Sequence, residues 1–140
     1  MSSKDFRPRL YGDKKIAFDN LTKKERRILV IGDLHAPFTL DGYLEFCQEV
    51  YSKYLCNQVI FIGDILDNHY TSYHESDPNG MGGGDELDVA IQYVAEWSRA
   101  FPVADVIIGN HDRLIMRKAF SSAVPKEWIK SYNEVLGTNW

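Results

Sequence analysis

The chain has 140 residues, 44% apolar and 26% charged, with a formal net charge of −4. That size and balance fit one globular domain with a single core, and no apolar stretch approaches the ~20 residues a bilayer-spanning helix needs. Charge is uneven: residues 1–27 hold nine Lys/Arg against four Asp/Glu, while residues 28–140 hold seven against sixteen. The larger part therefore attracts cations and argues against a broad nucleic-acid footprint.

Residues 1–26 read as a basic leader (Lys4, Arg7, Arg9, Lys14, Lys15, Lys23, Lys24 and Arg26). It is either solvated or in touch with phosphates. Its start, Met1 to Arg9, lacks the apolar segment of a secretory signal. Cys47 and Cys56 are isolated thiols rather than a C-x-x-C pair, which points to a reducing, cytoplasmic setting without a disulfide.

Residues 27–140 form the domain. Arg27 to Ile31 predicts a strand buried on both faces, since it is continuously apolar and β-branched. Pro37 delays the next helix, for which Asp41 is the expected N-cap, and Tyr43, Cys47, Val50, Tyr51 and Tyr54 share one helical face. Asn57 ends that helix, and Gln58 to Ile62 predicts the second strand. A polar segment, Asp67 to Gly84, holds Pro78 and four of the ten glycines. Those glycines read as a flexible hinge or a phosphate cradle. Asp85 is the expected cap of a second helix with Leu87, Ala90, Ile91, Val94 and Trp97 as its apolar stripe. Pro102 closes it, Asp105 to Ile108 predicts the third strand, and short helices follow at Leu114 to Phe120 and Pro125 to Leu136. The β-α-β-α-β-α order predicts an α/β fold, with a parallel sheet and flanking helices joined by right-handed crossovers.

A polar cluster follows each predicted strand: Gly32-Asp33-Leu34-His35, Gly63-Asp64-Ile65-Leu66-Asp67-Asn68 and Gly109-Asn110-His111-Asp112. Ligands of open α/β sheets bind beyond the carboxyl ends of the strands. Three adjacent strands would thus gather Asp33, His35, Asp64, Asn110 and His111 at one edge, where oxygen and imidazole donors suit Mn, Fe or Zn. Asp33 and His35 can converge on one ion, Asp64 can bridge to a second, and Asn110 can offer that second ion a carbonyl oxygen. Two cations ~3.5–4 Å apart would activate a water and clamp a phosphoryl group. His111 is placed to protonate or stabilise the departing alkoxide, with Asp67 holding its tautomer. The glycine before each cluster allows a tight turn and a close approach. Each cluster alone also fits a helix cap or a turn.

In combination the clusters resemble the calcineurin-like metallophosphoesterase superfamily, whose signature runs D-x-H, then G-D-x-x-D, then G-N-H-[DE]. Here the blocks are filled in order from about Arg27 to Asp112. The stretch Gly63 to Asp88 looks like the bacteriophage and bacterial members. The resemblance implies the first half of an α/β/β/α sandwich and a hydrolase of phosphomonoesters or phosphodiesters that forms no phosphoenzyme. It implies metal ligation by Asp33, His35, Asp64 and Asn110, with His111 as the acid or the stabiliser of the leaving group, partnered by Asp67. The cofactors it implies are two divalent ions.

Two departures shape the expectation. Asn68 stands where the superfamily's protein phosphatases carry a phosphate-gripping arginine, which makes a phosphoprotein substrate less expected. The late histidines of the superfamily have no counterpart, because His35, His69, His74 and His111 are the only histidines present. The chain then reads as the N-terminal part of a longer enzyme, or as one completed by a second chain or by other ligands. His69 and His74 lie in the Asp67 to Gly84 segment, which is a substrate-binding loop, a solvated loop, or a source of replacement ligands. Asn68, His69 and His74 are thus candidate substrate contacts. The competing reading is a catalytically incomplete fragment, a metal- or phosphate-binding module. A Rossmann-type nucleotide binder fits less well, since no G-x-G-x-x-G follows the first strand. Expected partners are a phosphate-ester substrate and, because a half-sandwich exposes apolar sheet, a second copy of the chain. No membrane is expected; a nucleic acid stays open as a partner, although net charge does not point to one.

Overall fold

The structure, a computed structural model, describes residues 25–140. The basic leader therefore lies almost wholly outside the described residues. Three strands, β1 (Ile28–Ile31), β2 (Gln58–Phe61) and β3 (Asp105–Val106), form one parallel sheet in the order β1-β2-β3. Helix α1 (Tyr43–Lys53) joins the first pair and α2 (Gly83–Ala100) the second; α3 (Leu114–Ser121) and α4 (Tyr132–Leu136) follow. The α/β class with a parallel sheet and flanking helices is as the sequence predicts.

Crossovers that step the same way across a sheet, each right-handed, place both connecting helices on one face. Leu29, Ile31, Val59 and Phe61 point to that face and pack with Cys47, Ala90, Val94 and Trp97 into the core. The opposite face is bare among the described residues, with Val30 56%, Ile62 51% and Ile107 55% exposed. The strand expected to be buried on both faces is thus buried on alternate residues only. Its continuous apolar character serves two faces, of which one is covered here.

Both expected aspartate caps give way to glycine. Gly42, at φ 77°, is the N-cap of α1, and Gly82 that of α2. Asp41 and Asp85 make no cap hydrogen bond; Asp85 lies within the first turn of α2, where its charge suits the helix dipole. Tyr54 is exposed, and Leu44 packs against the core in its place. The expected Pro125 to Leu136 helix is broken into a 3₁₀ turn at Lys126–Trp128 and α4, because Ser131 and Glu134 form a capping box that restarts the helix. Gly83 is no hinge: it belongs to α2, and a Cβ there would fall 2.6 Å from the ring of Tyr70.

Candidate metal centre

Pairing between the first two strands outlives the strands themselves. After Ile31 and Phe61 the chain kinks, and then the His35 N–H donates to the Asp64 carbonyl and the Ala36 N–H to that of Ile65, both at 2.9 Å. The Asp67 N–H returns a bond to the Ala36 carbonyl at 3.0 Å. The kink consists of left-handed residues: Asp33, His35 and Asp64 have φ of 52°, 45° and 53°. A non-glycine residue held there costs on the order of 1–3 kcal/mol, and such residues cluster at functional sites. Leu34 and Ile65, each 1% exposed, anchor the kinked segments in the core. Tyr43 of α1 adds a bond from its hydroxyl to the Gly32 carbonyl at 2.9 Å.

The result is a convergence of donors. One carboxylate oxygen each from Asp33 and Asp64 and one ring nitrogen of His35 lie within 4.8 Å of one another, and His35 forms a second such group with Asp67 and His111. His35 Nδ1 is 2.9 Å from Asp67 Oδ1. A carboxylate can only accept, so Nδ1 carries a proton, and in the neutral ring Nε2 keeps its lone pair, on the side where Asp33 Oδ1 lies at 3.7 Å. A histidine whose far nitrogen is held by a carboxylate is the usual arrangement for a metal-binding imidazole. Two carboxylates and one oriented imidazole fit a divalent transition ion.

Asp67 meets both histidines, through different atoms. Its carboxylate bonds His35, while His111 Nδ1 donates to its main-chain oxygen at 2.6 Å and stands 3.8 Å from Oδ1. His35 and His111 meet edge to face, ring centroids 4.6 Å apart.

Asp112 is the residue that sequence reasoning left without a role. Its carboxylate is 3% exposed and accepts four backbone N–H groups: Oδ2 takes Asp64 at 2.8 Å and Gly109 at 2.9 Å, and Oδ1 takes Ile65 at 3.1 Å and Leu66 at 3.3 Å. One buried anion thereby ties the β2 loop to the loop after β3. The His111 N–H donates to Asp64 Oδ1 at 2.9 Å, which fixes the orientation of that carboxylate. Such closeness demands glycine: a Cβ on Gly63, at φ 104°, would lie 2.6 Å from the Gly109 backbone, and one on Gly109 would strike Asp64. The only sequence signal for Asp112 is its place as the acidic last residue of Gly109-Asn110-His111-Asp112.

The remaining candidates divide. Asn110 is exposed between Gly109 and His111, both of which are tied to the β2 loop. Asn68, 3% exposed and at φ 52°, is turned inward, and its amide donates to the His111 carbonyl and the Tyr132 hydroxyl. Its side chain therefore supports the loop from within. The His69 N–H donates to Glu86 Oε1 at 2.9 Å, fastening the loop to α2. Burial pushes the Glu86 carboxyl above its ordinary value, partly offset by that bond. His74 is exposed. Neither His69 nor His74 joins a donor group among the described residues. Tyr132 donates to the Asp112 carbonyl at 2.9 Å, and burial, then the Asp112 charge, raises its phenol.

A family model described as calcineurin-like phosphoesterase matches residues 26–139. No curated protein matches the chain, and no solved structure does. The family match spans the whole sheet and every loop of the donor cluster, and the chain belongs to the calcineurin-like phosphoesterase family.

Proposed function

We propose that this protein hydrolyses phosphomonoesters or phosphodiesters with the help of two divalent ions, manganese, iron or zinc. The observation that carries the reading is the convergence of Asp33, His35 and Asp64, with His35 Nε2 freed by the bond from Nδ1 to Asp67. Divalent ions bound here would supply Lewis-acid polarisation of the phosphoryl group and of the attacking water.

Asp33, His35 and Asp64 hold one ion in this reading, and Asp64 and Asn110 the second. Asp64 Oδ1 already accepts the His111 N–H, which limits how the carboxylate can rotate between the two. Asp67 keeps His35 in one tautomer. His111 Nδ1 is engaged by the Asp67 carbonyl, so Nε2 is the nitrogen that delivers a proton to the departing alkoxide. Asn68 stabilises the Asp67–His111 contact from below rather than gripping substrate, and His69 and His74 rim the loop. Free Cys47 and Cys56 are consistent with a cytoplasmic location.

One observation favours a second reading. Among the described residues, the donor groups hold only two histidines, His35 and His111. A site with so few nitrogen donors suits a metal- or phosphate-binding module that does not turn over. Hydrolysis of p-nitrophenyl phosphate and its bis-ester with added manganese separates the two. The enzyme reading requires turnover that Asp64→Asn abolishes; absence of turnover in the wild type, with manganese bound, supports the module.

A further inference from the structure

The acidic balance of residues 28–140 hides a local reversal. Five of their seven Lys/Arg fall between residues 113 and 130, where Glu127 is the only acid. Three of these, Arg113, Arg117 and Lys118, sit on or immediately before α3, which starts just after His111. Arg113 is the N-cap of α3, and the following Leu114 N–H donates to the His111 carbonyl at 3.1 Å. Arg113 and Arg117 are exposed and four residues apart, so they share a helix face about 6 Å apart along the axis. None of the three makes an ion pair among the described residues.

Two of the three cations gather at an aromatic ring from the loop that carries Asp67. Tyr73 is 54% exposed, with the Arg117 guanidinium 4.6 Å and the Lys118 ammonium 4.9 Å from its centroid. Lys118 Nζ also donates to the Ser72 carbonyl at 3.3 Å, pinning the loop to α3. An exposed ring flanked by two cations, with a third, Arg113, one helical turn away, matches how proteins hold single-stranded nucleic acid: bases stack while phosphates follow the positive charge. A phosphorylated peptide would use the cations but not the aromatic face.

We propose that α3 and Tyr73 form a binding track for single-stranded nucleic acid that leads from the candidate metal centre, so that the ester cleaved is a nucleic-acid phosphodiester. The cleavage half rests on the phosphoesterase reading; the binding half does not.

The test is fluorescence anisotropy of a labelled mixed-sequence oligonucleotide, single-stranded, in EDTA so that no cleavage occurs. The same variants are assayed in parallel for manganese-dependent hydrolysis of bis-p-nitrophenyl phosphate. Arg113→Gln with Arg117→Gln should weaken binding at least tenfold at low salt and reduce the slope of log K against log salt by about 1.4, ~0.7 for each cation removed. Tyr73→Ala should weaken binding by about tenfold, a base-stacking loss. All three positions are exposed, and bis-ester hydrolysis should stay at the wild-type rate. Unchanged affinity and slope in the arginine double variant overturn the track. So does a phosphoserine peptide that binds as tightly as the oligonucleotide and is indifferent to Tyr73→Ala. Absence of bis-ester hydrolysis with variant-sensitive oligonucleotide binding retained sinks the phosphoesterase reading and leaves the track standing.

Discussion

Asp112 Oδ2 accepts the backbone N–H of Asp64 at 2.8 Å from a buried position, so a carboxylate outside the donor cluster sets where a donor stands. The same carboxylate holds Gly109, Ile65 and Leu66. A backbone N–H donating to a charge contributes ~1.5–3 kcal/mol, and stranding several buried donors costs more than removing one bond. Asp112→Ala should therefore lose at least about 3 kcal/mol of stability by denaturant titration. Asp112→Asn, which can accept through one oxygen only, should fall between wild type and Asp112→Ala.

The meeting of Gly63 with Gly109 makes a second prediction. Gly63→Ala adds a methyl 2.6 Å from the Gly109 backbone and forces a left-handed residue besides. Overpacking costs ~1–3 kcal/mol and the left-handed backbone a further ~1–2 kcal/mol. The β2 and β3 loops should separate, so metal affinity should fall with stability. Gly42→Ala, also left-handed but with open space around its Cβ, should cost stability alone. Manganese titration of both variants checks this.

Glu86 gives a pH dependence with a definite sign. Its folded carboxyl is raised above its unfolded value by burial. Between those two values the folded state holds the proton more tightly, so its contribution to stability is fullest in acid and declines as pH rises through the folded value. Glu86→Gln keeps an acceptor for the His69 N–H and removes the titration. Stability measured from acid to neutral pH should decline less in Glu86→Gln than in the wild type over that window.

The two thiols should differ in reactivity. Cys47 is buried within the core and its thiol is pushed up by that burial, whereas Cys56 is half-buried at the core's edge. Native protein should react with a thiol reagent rapidly at Cys56 and slowly at Cys47, and Cys56→Ser should abolish the fast phase.

How far the sequence could be read follows the range of the interactions. The strand and helix order was legible because apolar periodicity is local: Leu87, Ala90, Ile91, Val94 and Trp97 pack as their spacing implies. The donor cluster was legible because each of its parts stands at a strand end. The caps were misread because Gly42 and Gly82 take positions where aspartate is equally at home. The break before α4 has a visible signal, Ser131 with Glu134 three residues on, which competes with Pro125 as a helix start. Asp67 pairs with His111 in the sequence because it stands one helical-type turn beyond Asp64, and the structure keeps that pairing through the Asp67 carbonyl. Only the continued pairing of Ala36 with Leu66 shows that His35 lies closer to its carboxylate. Asp112 was silent because its four partners are backbone groups, which leave no trace in residue identity.

The proposed divalent-ion site of Asp33, His35 and Asp64, oriented by Asp67, can be probed by metal binding alone. Manganese binding followed by electron paramagnetic resonance tests it most directly, since free and bound ion are distinguished without reference to turnover. Saturable binding by the wild type is expected, weakened at least tenfold by Asp64→Asn and, through loss of the His35 tautomer, by ~10–100-fold in Asp67→Ala. Equal manganese affinity in the wild type, Asp64→Asn and Asp67→Ala would contradict it.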